Sequence, residues 1–112
     1  MDRKKDIIIS GGENISSVEI EKVIQDLPAV FEVVVIGVPD EKWGEVPKAL
    51  IVLKPGEQVT ESEIISHVRK YLAGYKAPKS VEFRSEFPKG GTEKILKHDL
   101  KREYWTGLSK KV

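Results

Sequence analysis

The chain has 112 residues, of which 39% are hydrophobic and 33% charged, and this balance fits one globular domain and excludes a disordered chain. Its 19 Lys and Arg residues against 18 Asp and Glu residues argue against nucleic-acid binding through bulk charge. The absence of cysteine excludes disulfides, thiolate catalysis and cysteine metal sites. His67 and His98 are too far apart to suggest a local metal motif, and no apolar run reaches membrane-spanning length.

The first predicted element is a β-hairpin. The three isoleucines 7–9 favour extended backbone because branching at Cβ restricts χ1 in a helix. Gly11 and Gly12 permit positive φ, so the sequence predicts a tight turn with Ile15 beginning the return strand. A turn without side chains also lets a ligand approach the backbone closely, although an ordinary surface hairpin explains the same residues.

A helix and a strand follow the hairpin. A capping box at Ser16 and Glu19 predicts the start of the helix, and Pro28 predicts its end. Apolar residues recur between them at helical spacing: Ile20, Val23, Ile24 and Leu27. The valine-rich run 30–38 is too β-branched for a comfortable helix and predicts a buried central strand. Residues 39–45 are a predicted polar loop carrying one large aromatic side chain.

The second half of the chain predicts two more strands and two more helices. Residues 47–53 form the second strand, and a capping box at 60–63 opens a helix for which Gly74 is the predicted C-cap. After a basic loop, residues 81–83 alternate with the sheet period, and 97–105 form a short terminal helix. The order predicts an α+β domain: an N-terminal β-hairpin followed by a three-stranded sheet packed with about three helices.

The residue types alone indicate no catalytic grouping. The sequence suggests no Ser/His/Asp set, no paired carboxylates and no metal cluster, and Glu19 and Glu21 are interpreted as capping and surface residues. What remains is cationic: Arg3, Lys5, Arg69, Lys76, Lys79 and Lys94. Lysines on loops suit phosphate groups, although each one alone is typical of a solvated surface.

Four stretches, taken in order, resemble one family. They are residues 2–21, 39–45, 75–79 and 87–97, so the resemblance is distributed from one end of the chain nearly to the other. They resemble the C-terminal domain of acyl-CoA synthetases in the superfamily of AMP-forming, acyl-adenylate-forming enzymes. The Gly-Gly-Glu-Asn form of the turn looks most like the fatty or aromatic acyl-CoA synthetases. The resemblance implies an acid-thiol ligase that converts a carboxylate, ATP and coenzyme A to acyl-CoA, AMP and pyrophosphate.

The resemblance also implies a domain organisation. Residues 1–112 are then a single C-terminal lid domain, cut near a hinge at about residues 4–6, without the large N-terminal AMP-binding domain on which it swings between two poses. The expected partners are that domain, the carboxylic acid, ATP and coenzyme A, with Mg²⁺ held mainly by the N-terminal domain. We expect the isolated chain to be inactive, and we predict a cytoplasmic location.

The resemblance assigns three residues to adenylation and hinge motion. Lys94 matches the lysine that reaches the α-phosphate and carboxylate, where charge builds in the transition state. Glu93 stands where relatives usually have glycine, which is the largest departure from the pattern. Lys5 matches the hinge position, and Arg3 matches the arginine near the ribose and phosphate.

The resemblance assigns a second set to coenzyme A. Gly11, Gly12 and Glu13 match the hairpin tip that lines the pantetheine tunnel. Trp43 matches a position beside the coenzyme, and a half-buried loop tryptophan is the alternative interpretation. Residues matching the contacts to its phosphates and adenine are Arg69, Tyr75 and Lys79.

Two other functions remain open at this point. One is a stand-alone module that binds a nucleotide or coenzyme A and regulates another protein. The other is the lid of an adenylating enzyme that uses a carrier protein or oxygen in place of coenzyme A. The Gly-Gly-Glu-Asn tip and Trp43 favour coenzyme A.

Overall fold

The computed structural model describes residues 7–87 and 97–111 and confirms the predicted α+β arrangement. The elements, in order, are β1 (Ile7–Ser10), β2 (Glu13–Ser16), α1 (Ser17–Gln25), β3 (Val30–Asp40), β4 (Gly44–Leu53), α2 (Glu61–Tyr71), a 3₁₀ helix (Gly74–Lys76), β5 (Ser80–Phe83) and α3 (Lys97–Lys111). None of the helices in these ranges is long and apolar enough to cross a membrane.

Strands β1 and β2 form the predicted hairpin. They pair antiparallel with Ile8 opposite Ile15, and both of these side chains are buried in the core. The turn between the strands consists of Gly11 and Gly12, whose φ angles are +57° and +86°. Both angles lie in the region that favours glycine, so the sequence prediction of a tight Gly-Gly turn is confirmed.

The larger sheet has the order β3-β4-β5, with β3 antiparallel and β5 parallel to β4. The prediction that run 30–38 is the central strand is therefore wrong: β4 is central, and β3 lies at the edge of this sheet. The run is apolar because both faces of β3 are covered. Val33 and Val35 belong to one buried cluster, whereas Val34 and Ile36 belong to another.

The two clusters define three layers. On one face of the sheet, α1, α2 and the β1–β2 hairpin contribute side chains to a core that includes Ile15, Ile24 and Ile64, each fully buried. On the other face, Leu100 of α3 and Phe87 pack against the sheet. Each fully buried aliphatic side chain contributes roughly 1.5–3 kcal/mol. The hairpin is thus fixed to the same core as the first two helices.

The helix starts are confirmed, but two helix ends are not. Helix α3 runs to Lys111, six residues beyond the predicted end at residue 105. Ser16 accepts a hydrogen bond from the Glu19 N–H at 3.2 Å at the start of α1. At the start of α2, Thr60 and Glu63 form a reciprocal capping box. Helix α2 ends at Tyr71, three residues before Gly74, so the prediction of a Gly74 C-cap is wrong. The Leu72 N–H already donates to the α2 backbone, and Gly74 begins the 3₁₀ helix.

Side chains bond two backbone groups on the outer edge of β3. Glu21 accepts from the Val35 N–H at 2.8 Å, and the Trp105 indole N–H donates to the Gly37 carbonyl at 2.8 Å. Lys97, at the start of α3, forms an ion pair with Glu21 at 2.9 Å. Glu21 is therefore not the surface residue that the sequence suggested, because it joins α1, the sheet edge and α3.

Candidate functional site

The loop predicted for residues 39–45 is a shorter turn than expected. Strand β3 continues to Asp40 and β4 begins at Gly44, so only residues 41–43 lie between them. The Asp40 carboxylate accepts hydrogen bonds from the Lys42 N–H at 3.0 Å and the Trp43 N–H at 2.8 Å. A carboxylate that bonds to its own following backbone closes a tight turn, and this one holds Trp43 at its end.

The turns at residues 11–12 and 41–43 meet at Trp43. The Gly11 N–H donates to the Trp43 carbonyl oxygen at 2.9 Å. The indole ring lies against Gly11 so closely that a Cβ atom there would stand 2.4 Å from Trp43 Cε3. Glycine is therefore required at this position for two reasons, its positive φ and the ring beside it. The structure thus brings together three predicted site residues: Gly11, Gly12 and Trp43.

Trp43 contacts Gly11 with one part of its ring, lies beneath the Lys42 ammonium and remains partly exposed to solvent. Its side chain is 42% exposed although it contacts Gly11, and the Lys42 ammonium lies 4.9 Å from the ring centroid. Gly12 and Glu13 are exposed beside it, and a Cβ added at Gly12 would meet nothing within 4 Å. Gly11, Gly12 and Trp43, which we call the tip surface, therefore present backbone and an indole to solvent.

Glu45 of β4 makes a further contact with the β1–β2 hairpin, and the sequence did not predict it. Its Oε1 accepts from the Ile9 N–H at 2.7 Å. Its carboxylate also lies over Gly37, where an added Cβ would be 2.8 Å from Glu45 Oε2. Nothing in the local pattern signals a bond between residues 36 positions apart. The only hint in the sequence is a glycine inside a valine-rich strand.

The predicted phosphate contacts lie elsewhere on the domain. Arg69 is exposed near the end of α2. Lys79 is exposed, and its N–H donates to the Pro47 carbonyl at 2.9 Å, which places it beside the first part of β4. The Lys76 ammonium forms an ion pair with Glu19 at 3.1 Å. Arg69 and Lys79 are thus accessible to an anionic ligand, whereas Lys76 is engaged by a carboxylate.

Four predicted site residues are not tested by these contacts. Arg3, Lys5 and Lys94 lie outside the described residues, as does the side chain of Tyr75. Their assigned roles therefore stay predictions.

A polar network ties α3 to β5 on the opposite face. The Tyr104 hydroxyl donates to Glu82 at 2.6 Å and accepts from Arg84 at 3.1 Å, while Arg84 also pairs with Glu103 at 2.7 Å. The hydrogen bond from Tyr104 holds the pKa of Glu82 below its ordinary value, and burial raises the pKa of Tyr104. The Glu103 carboxylate raises the pKa of Arg84. These groups bond one another, so we interpret the network as structural.

The fold agrees with a family comparison. Residues 19–94 match the model of the AMP-binding enzyme C-terminal domain. The match covers most of the chain, and the chain belongs to this family.

Individual relatives point to the same class. A feruloyl-CoA synthase from Amycolatopsis is 48% identical over 104 residues, which are 93% of this chain and 21% of the relative. A Mycobacterium tuberculosis fatty acyl CoA synthetase structure is 49% identical, with a TM-score of 0.86 over 95% of this chain and 21% of that one. ATP-bound MatB from Rhodopseudomonas palustris is 35% identical, with a TM-score of 0.87 over 91% of this chain and 20% of that one. The chain therefore spans about a fifth of the length of the curated relatives it matches.

Proposed function

We propose that the chain is the mobile C-terminal domain of an ATP-dependent, AMP-forming acyl-CoA synthetase. Such an enzyme joins a carboxylate to AMP with release of pyrophosphate and then transfers the acyl group to the thiol of coenzyme A. The observation that carries the proposal is the exposed Gly11–Gly12 turn held against the half-exposed Trp43 in a member of this family. The proposed partner is a large N-terminal AMP-binding domain that contributes the acyl pocket, in a cytoplasmic enzyme.

The tip surface suits a thin, extended ligand. Gly11 and Gly12 offer backbone without side chains, so a pantetheine arm can pass close to the main chain. The exposed part of the Trp43 indole, with the Lys42 ammonium over the ring, offers apolar surface for that arm or for an adenine. Glu13, the next residue in the chain, is assigned to the same part of the coenzyme. We assign the phosphates and adenine of the coenzyme to three further residues: Arg69, Tyr75 and Lys79.

We assign the adenylation step to Lys94. The carboxylate oxygen attacks the α-phosphorus while pyrophosphate leaves, and an ammonium placed there stabilises the charge that builds on the phosphate oxygens. Arg3 is assigned to the ribose and phosphate, and Lys5 to the hinge. The described residues contain no group of three metal-ligating side chains, and we assign Mg²⁺ mainly to the N-terminal domain.

Replacement of Lys94 tests this division of labour in the enzyme that carries this domain. In Lys94→Ala, ATP–pyrophosphate exchange should fall by roughly 10²–10³, the loss typical of one preorganised electrostatic contact. Thioester formation from presynthesised acyl-adenylate and coenzyme A should stay near the wild-type rate, because the rotated domain presents the tip surface in that step. Lys89→Ala, in the same Gly- and Pro-rich stretch, is the matched control and should affect neither step.

Two outcomes would contradict the assignment. Equal losses in both half-reactions would indicate a general binding or folding role for Lys94. Near-normal adenylation would mean that the lid does not supply this lysine, and that Glu93 marks a functional divergence from the family.

A further inference from the structure

The end of the β1–β2 hairpin that carries Gly11 and Gly12 has few contacts within the hairpin itself. Strands β1 and β2 have four residues each, and the turn between them is two glycines without side chains. An isolated two-stranded hairpin is marginally stable at best. Ile8 and Ile15 bury its root in the core, but the tip lies beyond them. Its position therefore depends on contacts with the neighbouring turn and strand.

Glu45 supplies one of these contacts from β4. Within the hairpin, Ile9 stands opposite Asn14, between the pairs Ile8–Ile15 and Ser10–Glu13. Alternate N–H groups of an antiparallel strand point to opposite sides, so the Ile9 N–H points away from β2. Glu45 accepts a hydrogen bond from this N–H. The distance from the Ile9 nitrogen to Glu45 Oε1 is 2.7 Å, which is short and fits a charge-assisted bond.

Gly37 makes room for that carboxylate. A Cβ at Gly37 would stand 2.8 Å from Glu45 Oε2, 2.9 Å from its carboxyl carbon and 3.2 Å from Ile8 Cγ2. The carboxylate therefore lies directly on the backbone of β3, which limits the positions it can adopt. In addition to its root in the core, the hairpin is attached near its tip to Trp43 and along β1 to Glu45.

We propose that Glu45 is a positioning residue for thioester formation. Its carboxylate fixes β1 against the sheet and thereby holds the Gly11–Gly12 turn where coenzyme A passes. The inference rests on the proposed function of the tip surface. Glu45 acts through the hairpin and not on the reacting atoms, so its loss should affect the coenzyme A step and leave adenylation unchanged.

Three variants separate this role from a general effect on folding. Glu45→Ala removes the acceptor, whereas Glu45→Gln keeps an oxygen that can accept from the Ile9 N–H. Glu41→Ala is the matched control, because Glu41 is an exposed acidic residue in the turn that precedes β4. In the 112-residue chain, hydrogen exchange of the Ile9 amide should accelerate about tenfold or more in Glu45→Ala. It should stay near wild type in Glu45→Gln and Glu41→Ala.

The same variants are then measured in the enzyme that carries this domain. With presynthesised acyl-adenylate, kcat/KM for coenzyme A should fall about tenfold in Glu45→Ala, mostly through KM, and recover in Glu45→Gln. ATP–pyrophosphate exchange should be unchanged. Gly12→Val, which places a branched side chain on the tip itself, serves as the test of the proposed function.

The outcomes distinguish the two claims. If Ile9 exchange does not change in Glu45→Ala, the carboxylate does not hold the hairpin and the inference fails. If exchange accelerates but coenzyme A kinetics do not change, while Gly12→Val slows thioester formation, the inference fails and the proposed function stands. If neither Glu45→Ala nor Gly12→Val affects thioester formation, the proposed role of the tip surface fails.

Discussion

Because Gly11 contacts Trp43 and Gly12 does not, replacing each glycine by alanine should change the free energy of unfolding by a different amount. Alanine at either position must adopt positive φ, at a cost of about 1–2 kcal/mol. At Gly12 that is the whole cost, because an added Cβ meets nothing within 4 Å. At Gly11 the Cβ stands 2.4 Å from Trp43 Cε3, so the ring must move, which adds about 1–3 kcal/mol. We expect Gly11→Ala to cost about 2–5 kcal/mol and Gly12→Ala about 1–2 kcal/mol.

Urea unfolding of the 112-residue chain measures both costs, and a double-mutant cycle identifies their source. In a Trp43→Ala background the extra cost of Gly11→Ala should disappear, since the obstructing ring is gone, while the cost of Gly12→Ala should not change. The slope of the unfolding free energy with urea should stay constant. Equal costs at the two glycines, or an extra cost that persists without the ring, would refute the proposed contact.

Three further predictions follow from the structure and the proposed function. Because Tyr104 lowers the pKa of Glu82 from its ordinary 4.5, the stability that ionised Glu82 contributes is fully present above that value and is lost as pH falls through the lowered pKa. The stability difference between wild type and Tyr104→Phe, measured by urea unfolding, should therefore shrink as pH falls below 4.5; an unchanged difference would contradict the assignment. Lys97→Met should destabilise the chain by about 1–2 kcal/mol, and by less in a Glu21→Gln background, whereas full additivity in urea unfolding would show that the pair is not coupled. In the enzyme, Lys5→Pro should slow thioester formation more than adenylation because proline fixes φ, and wild-type rates in both assays would remove Lys5 as the pivot.

Local signals in the sequence predicted most of the elements. The reciprocal capping box of Thr60 and Glu63 lies within one helical turn, and the Gly11–Gly12 turn lies between adjacent strands. In both cases residues close in sequence determine the local backbone conformation. The order of the strands in the sheet could not be predicted from local signals. The run 30–38 is apolar on both faces because helices cover both sides of the sheet, and this pattern is the same for an edge strand as for a central one.

In the candidate site too, local patterns predicted some residues and not others. Gly11, Gly12 and Trp43 were predicted from short stretches that resemble the family, and the structure places the Gly11–Gly12 turn against Trp43 through Gly11. The bond between Glu45 and the Ile9 N–H depends on how two hairpins pack. Since any glutamate near the start of a strand has the same local pattern, a side chain that acts by holding a distant backbone group is visible only in the folded chain.

The most direct test measures both half-reactions for two variants of the same enzyme, Lys94→Ala and Gly12→Val. If this domain serves adenylation with one set of residues and thioester formation with another, each variant should lose one half-reaction and keep the other. Lys94→Ala should lose adenylation and keep thioester formation, while Gly12→Val should show the reverse. Parallel losses in both variants, or full activity in both, would contradict the assignment of this chain as the alternating domain of an acyl-CoA synthetase.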